Sequence, residues 1–97
     1  MKDPIRKYIE LELKAIQNIP IDGIIDNVVS IIYKNVHLNN GKVVISGMGK
    51  AGHIGMNIAT TLSSTGTPAA FIHPSEAQHG DLGLIQKNDV LLLISNS

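Results

Sequence analysis

The fold of this chain is decided by the stretch VVISGMGKAGHIG, which runs from Val43 to Gly55. An unalternated, β-branched apolar run at its start is typical of a buried strand, predicted over 42–46. A glycine-rich turn holding Lys50 follows, and in α/β proteins such a turn and the next helix N-terminus point at one anionic ligand. The helix is predicted over 51–64, with one apolar face formed by Ile54, Ile58 and Leu62.

Two helices are predicted ahead of this stretch. Apolar residues recur at helical spacing over 3–18, where Asp3 and Pro4 form a start signal, and over 21–38, where Asp22 is the expected N-cap. The predicted buried stripes are Ile5, Ile9, Leu13 and Ile16 in the first helix, and Ile25, Val28, Val29, Ile32 and Val36 in the second.

Two more strands are predicted after the glycine-rich turn. They cover 68–72 and 89–94, the second without polar alternation and so buried on both faces, and a polar loop over 73–83 separates them. Two helices followed by β-α-β-loop-β from residue 42 indicate an α/β fold, a Rossmann-like three-layer sandwich around a parallel sheet. A sheet of three strands with open edges is thin, so we expect residues 1–97 to be the front part of a larger domain.

Each predicted strand ends in polar or small residues. Because ligands in parallel sheets bind beyond the carboxyl ends of the strands, we expect these three segments to converge on one site. The segments are Ser46-Gly47, His73-Pro74-Ser75 and Ser95-Asn96-Ser97.

Composition excludes several classes of protein. The net charge is zero with neutral histidines, so no basic excess suggests a nucleic acid or an acidic membrane as partner. The absence of cysteine excludes a thiolate nucleophile, a thiolate metal site and a disulfide framework. No apolar run is long enough for a bilayer, and the first residues lack the apolar segment of a signal peptide. We therefore expect a cytoplasmic protein.

The segment GMGKAG over 47–52 matches the dinucleotide-binding pattern G-x-G-x-x-G. That fingerprint also requires an acidic residue about 20 positions on, at the end of the second strand, to bind the ribose. This chain has Phe71-Ile72-His73 there, and the P-loop pattern is absent as well. A smaller anion is favoured, and a sugar phosphate suits the available lysine, hydroxyls and histidines.

Three motifs are recognisable as a set: SGMGKAGHIG over 46–55, STGTP over 64–68 and HPSEAQHGDLG over 73–83. Together they closely resemble the sugar isomerase (SIS) domain of D-arabinose 5-phosphate isomerases, and ISNS over 94–97 resembles the start of that domain's phosphate loop. The resemblance implies interconversion of D-ribulose 5-phosphate and D-arabinose 5-phosphate, which feeds synthesis of Kdo, a sugar of lipopolysaccharide and some capsules. It also implies a homotetramer and no required cofactor.

The resemblance further implies roles for particular residues. Lys50 is predicted to be catalytic, as a cation that stabilises an enediolate or steers the phosphate. His79 is predicted to be catalytic as a neutral imidazole that passes protons to sugar hydroxyls. His73 is also predicted to bind zinc, an inhibitory ligand in this family. The predicted substrate contacts are Gly66, Thr67, His73, His79, Ser95 and Ser97.

Structural alternatives stay open for these residues. Lys50 suits a solvated first helical turn, Gly66 suits a helix C-cap, and His79 suits a loop that caps backbone groups. Glu76 and Asp81 are candidates for the general base, with capping or ion pairing as the alternative. For the whole chain, the alternatives to the isomerase are a non-catalytic sugar-phosphate-binding module and an inactive fragment.

Overall fold

The computed structural model of the chain describes residues 2–96. The element order confirms the predicted α/β chain, with strand ends that differ from the prediction by one residue and a third helix that begins two residues earlier. The elements are α1 (Lys2–Gln17), α2 (Gly23–Ile32), a π-helical turn (Tyr33–His37), β1 (Val43–Gly47), α3 (Gly49–Ser64), β2 (Ala69–Phe71), α4 (Pro74–Gln78), a 3-10 turn (Asp81–Leu84) and β3 (Val90–Ile94).

The three strands form one parallel sheet in the order β2-β1-β3, as predicted for a β-α-β unit. Val43 pairs with Ala69 on one side and with Val90 on the other, and Gly47 pairs with Ile94. All three carboxyl ends therefore lie at one edge of the sheet.

Helix α3 covers one face of this sheet and forms the core with it. Val43 and Ile45 of the central strand are buried against Ala59, while Ile58 and Leu62 pack at the periphery. The prediction of Ile54 as part of the packed face is wrong, because its side chain is 54% exposed. The buried positions of α3 are small residues, namely Ala51, Gly52, Gly55 and Ala59.

The opposite face of the sheet is covered only in part. Val44 is buried, and α4 and the 3-10 turn lie over it, so a third layer is begun. The prediction that the last strand is buried on both faces is wrong, because Leu91 and Leu93 are 51% and 72% exposed. Strand β3 alternates between half-buried and exposed side chains because only the α3 face is well covered.

Helices α1 and α2 form largely as predicted, but most of their apolar residues are not buried. Asp22 is confirmed as the N-cap of α2, since its Oδ1 accepts the N–H of Ile24 at 3.0 Å. Asp3, part of the start signal predicted for this helix, lies in its first turn, because α1 begins one residue earlier than predicted. Of the two predicted stripes, only Ile32 and Val36 reach the core. The exposed members are Ile5, Ile9, Leu13, Ile16, Ile25, Val28 and Val29.

An ion pair closes the amino-terminal edge of the sheet, and the sequence analysis did not predict it. Lys42 Nζ lies 2.7 Å from Asp89 Oδ2, and the Asp89 side chain is only 2% exposed. Burial raises the pKa of Asp89, but hydrogen bonds from Lys42 Nζ and from the N–H groups of Gln86 and Lys42 outweigh it. The pKa of Asp89 therefore lies below its ordinary value.

Candidate functional site

The turn between β1 and α3 is built to present backbone N–H groups. Met48 alone separates the strand from the helix, in extended conformation at φ −108° and ψ 148°. Gly49 follows at φ +62°, a left-handed conformation that favours glycine. The first backbone bond of α3 runs from Gly52 N–H to the Met48 carbonyl. The amides before Gly52 therefore have no intrahelical acceptor and face outward.

An open pocket of about 600 Å³ lies directly at this turn. Its lining comes from the end of β1 and the start of α3, from Pro74, and from residues 93–96 at the end of β3. The predicted convergence of the three strand ends is therefore confirmed in outline. Ser46, Gly47, Pro74, Ser95 and Asn96 of the predicted segments line it, and the lining residues outside those segments and the predicted site are Met48, Ala51, Leu93 and Ile94.

Lys50 lies in the first turn of α3 and lines this pocket. Its ammonium group has no hydrogen-bond or ionic partner among the residues that the structure describes. The helix dipole disfavours a cation at this end of a helix, so the position is unfavourable without an anion. The geometry combines a side-chain cation, outward amides and the positive helix end, a combination that suits a phosphate.

The end of β3 supplies the opposite wall of the pocket. Because Gly47 pairs with Ile94, Ser95 and Asn96 continue past the sheet edge beside the glycine-rich turn, and both line the pocket. Ser97, also predicted to bind substrate, lies outside the described residues. Asn96 belongs to the predicted segment at this strand end, although it is not among the predicted substrate contacts.

His73 lies just beyond β2 and acts as the N-cap of α4. Its Nδ1 accepts the N–H of Ser75 at 3.1 Å and lies 2.7 Å from the Ser75 hydroxyl. Because Nδ1 is an acceptor here, the neutral ring carries its proton on Nε2. His73 does not line the pocket, although the next residue, Pro74, does.

The described residues offer little for a metal ion. They contain no group of three or more His, Cys, Asp or Glu side chains that could hold one. A metal on His73 Nε2 would also require the proton on Nδ1, where the Ser75 N–H already donates. Zinc binding at His73 stays a prediction, and these residues do not fit a metal site by themselves.

His79 ends α4 and is exposed to solvent. Its N–H donates to the Glu76 carbonyl at 3.0 Å, and Gly80 follows at φ +118°, which reverses the chain. The imidazole does not line the pocket. Its catalytic role stays a prediction. The backbone hydrogen bond of His79 fits the structural alternative, a residue that caps the end of a helix.

Gly66 and Thr67 lie at the opposite edge of the sheet from Lys50. They connect α3 to β2, and a residue ahead of a parallel strand must lie at the amino edge. Gly66 has φ +100°, and the Thr67 hydroxyl lies 3.0 Å from His37 Nε2. The structure gives both residues a place in the chain reversal and does not bring them to the pocket, so their substrate contacts stay predictions.

The two candidate carboxylates lie away from the turn. Glu76 is exposed in the first turn of α4, and Asp81 lines an apolar groove of about 380 Å³ on the sheet face opposite α3. Neither lines the pocket that contains Lys50.

No helix of residues 2–96 has both the length and the apolarity to cross a bilayer.

This fold is an α/β domain with an open pocket at the first strand-to-helix turn. The SIS domain family model matches residues 38–97, which is more than half of the chain. The chain therefore belongs to the SIS domain family. Helices α1 and α2 both lie ahead of the matched segment.

Curated relatives match nearly the whole chain. Arabinose 5-phosphate isomerase GutQ of Escherichia coli O6:H1 is 51% identical over 92 residues, covering 95% of this chain and 28% of the relative. Arabinose 5-phosphate isomerase KdsD of Francisella tularensis is 49% identical over 89 residues, covering 90% of this chain and 27% of the relative. The chain thus spans just over a quarter of the length of these relatives.

Solved structures show the same fold. A protein of Bacteroides fragilis, named as a phosphosugar isomerase involved in capsule formation, superposes with a TM-score of 0.93 at 55% identity. That match covers all of this chain and 50% of the other. The c3406 protein of E. coli CFT073, solved in complex with arabinose 5-phosphate, superposes with a TM-score of 0.81 at 40% identity over 98% of this chain and 50% of the other.

Proposed function

We propose that the chain is part of an aldose–ketose isomerase that interconverts D-ribulose 5-phosphate and D-arabinose 5-phosphate for the synthesis of Kdo. The observation that carries this proposal is the position of Lys50, whose unpaired ammonium group lies at the open pocket beside outward backbone amides. The names of the relatives and the arabinose 5-phosphate complex of a structural neighbour support the choice of sugar phosphate.

The phosphate is bound first in this proposal. The N–H groups that begin α3 supply directional donors, and the helix end supplies partial positive charge. Lys50 adds a full charge, and Ser95 faces the pocket from the end of β3. With the phosphate at this turn, the sugar would extend toward Pro74 and residues 73–79, which include His73 and His79.

The reaction then moves one proton between C1 and C2 of the sugar. A general base takes the C2 proton of the aldose, which leaves an enediolate with its negative charge on O1. Transfer of the O2 hydroxyl proton to O1, and return of the proton from the base to C1, leave the carbonyl at C2. The negative charge lies on O1 after the C2 proton is removed and on O2 before C1 is protonated, and a nearby ammonium stabilises it. Passing a proton between the two oxygens is the proposed task of His79, and no cofactor is needed for any of these steps.

Lys50→Gln tests the proposal directly in the protein at its natural length. Removing the cation is expected to lower kcat/KM about 100-fold or more, because one electrostatic donor to an oxyanion has roughly that effect. A loss in kcat alone assigns Lys50 to the enediolate, and a loss through KM assigns it to the phosphate. Lys14→Gln on the exposed face of α1 is the matched control. Isomerisation is followed by ³¹P NMR, with deuterium uptake from D₂O as the sign of an enediol.

Failure of the natural-length protein to convert ribulose 5-phosphate into arabinose 5-phosphate would refute the proposed isomerase activity. A second candidate, a sugar-phosphate-binding module, is favoured by the fact that neither His73 nor His79 lines the pocket. That candidate predicts arabinose 5-phosphate binding by calorimetry without deuterium uptake or product.

The proposed enzyme is a cytoplasmic homotetramer, and α1 is the proposed contact between copies. All side chains of α1 from Asp3 onward are exposed, including Ile5, Ile9 and Leu13 on one face. Arg6 and Glu10 border that face four residues apart, so an antiparallel second copy would bring opposite charges together. A self-complementary patch of this kind suits a two-fold contact.

A further inference from the structure

Ser46 is a polar residue among apolar neighbours on one face of the sheet. On the face opposite α3, the register of the strands groups it with Val44 of β1, and with the β3 residues Leu91 and Leu93. Ala70 of β2 and Ile72, the residue after β2, complete that face. Ser46 is thus the one polar side chain among these residues, and it is the next-to-last residue of β1.

Its hydroxyl group lacks a partner in the protein. Ser46 is half-buried, and its side chain makes no hydrogen bond with any residue that the structure describes. Serine fits a central strand less well than the β-branched residues before it. The hydroxyl is accessible to solvent, since no buried side-chain N or O atom of the described residues lacks a hydrogen-bond partner. The Ser46 hydroxyl is therefore available to a ligand that enters the open pocket.

The position of Ser46 singles out one part of a ligand. Ser46, Pro74 and Leu93 line both the pocket at the turn and the apolar groove beside it, whereas Lys50 and Ala51 line the pocket alone. Ser46 therefore lies on the Pro74 side of the pocket, away from the amides that begin α3. A phosphate bound at those amides would place the sugar, rather than the phosphate, over Ser46.

We propose that the Ser46 hydroxyl binds a hydroxyl group of the sugar in the sugar-phosphate ligand. The inference rests on the proposed function, because it takes the phosphate to be held at the start of α3. Ser46 is then a specificity residue on the floor of the site, which distinguishes a sugar phosphate from a bare phosphate.

The test compares Ser46→Thr with Ser46→Val in the natural-length protein. The two side chains have the same shape and both suit a strand, but only threonine keeps the hydroxyl. Calorimetry measures arabinose 5-phosphate and inorganic phosphate as separate ligands. Ser46→Val is expected to weaken arabinose 5-phosphate binding about 5- to 10-fold relative to Ser46→Thr, in line with one hydrogen bond. Inorganic phosphate affinity is expected to stay equal in the two variants.

Thr60→Val, which removes an exposed α3 hydroxyl bonded to the Met56 carbonyl, is the matched control and is expected to bind as wild type does. Equal arabinose 5-phosphate affinity in Ser46→Thr and Ser46→Val would overturn the inference. If wild type binds arabinose 5-phosphate in that case, the proposed function is unaffected. Equal weakening of both ligands in Ser46→Val would also overturn it, because the contact would then be to phosphate. Absence of arabinose 5-phosphate binding by wild type would instead refute the proposed function.

Discussion

Replacing Gly52 by alanine should test how the site depends on the close contact between α3 and β1. Alanine favours a helix over glycine by about 1 kcal/mol, so an unpacked site would gain stability. A Cβ at this position, however, would lie 2.6 Å from the carbonyl oxygen of Gly47. This distance is about 0.8 Å shorter than the shortest ordinary van der Waals contact, and the oxygen belongs to the backbone, so it cannot rotate away as a side chain can.

The expected result is a loss of both stability and activity. Overpacking of this kind costs about 1–3 kcal/mol, which exceeds or cancels the helix gain. Movement of α3 would also displace Lys50 and the amides relative to the end of β1. Because a displacement of about 1 Å can lower catalysis roughly 100-fold, activity should fall further than stability does.

Urea unfolding and the isomerase assay would measure the two effects on the natural-length protein. Gly23→Ala is the matched control, because Gly23 begins α2 and a Cβ there would meet no atom within 4 Å. The control should be unchanged or more stable by up to about 1 kcal/mol. A Gly52→Ala variant with wild-type stability and turnover would refute the packing argument.

Two further changes test the sheet edge and the helix surface. Asp89→Asn should lower the free energy of unfolding at pH 7 and flatten its acid dependence. Because the pKa of Asp89 is lowered in the folded protein, its ionised form stabilises the fold above the unfolded pKa near 3.8, and this stabilisation is lost as the pH falls through the folded pKa. Parallel curves of unfolding free energy against pH for variant and wild type would contradict this. Ile9→Glu should yield smaller particles by light scattering than Lys7→Glu, a change outside the apolar face, and equal masses would contradict the role of α1.

The sheet and its binding edge could be predicted because their signals are local. A short β-branched run, a glycine turn and a helical period lie within Val43–Gly55, and the handedness and direction rules for parallel sheets then place the strand ends together. The positions of Lys50 and Ser95 at one pocket follow from those rules alone. This is why the outline of the site was predicted more accurately than the packing of the helices.

The helix faces could not be predicted by the same means. Hydrophobic periodicity reports which side of a helix is apolar, but not how near its partner lies. In α3 the sheet is so near that a Cβ on Gly55 would be 3.0 Å from Ile45, so glycine and alanine take the buried positions and Ile54 faces solvent. The ion pair of Lys42 and Asp89 joins residues far apart in sequence, and no local pattern predicts such a pair.

The same distances bear on the function of the glycine-rich stretch. A dinucleotide fold uses its glycines to let the pyrophosphate approach the backbone and to pack helix on strand. In this chain Gly47, Gly52 and Gly55 are in close contact with protein atoms, while a Cβ on Gly49 would meet nothing within 4 Å. Most of the glycines therefore hold α3 against β1, and only Gly49 is left to shape the open turn beside Lys50. Packing of α3 on β1 therefore accounts for most of the glycines in this stretch, so the match to G-x-G-x-x-G does not by itself indicate a dinucleotide.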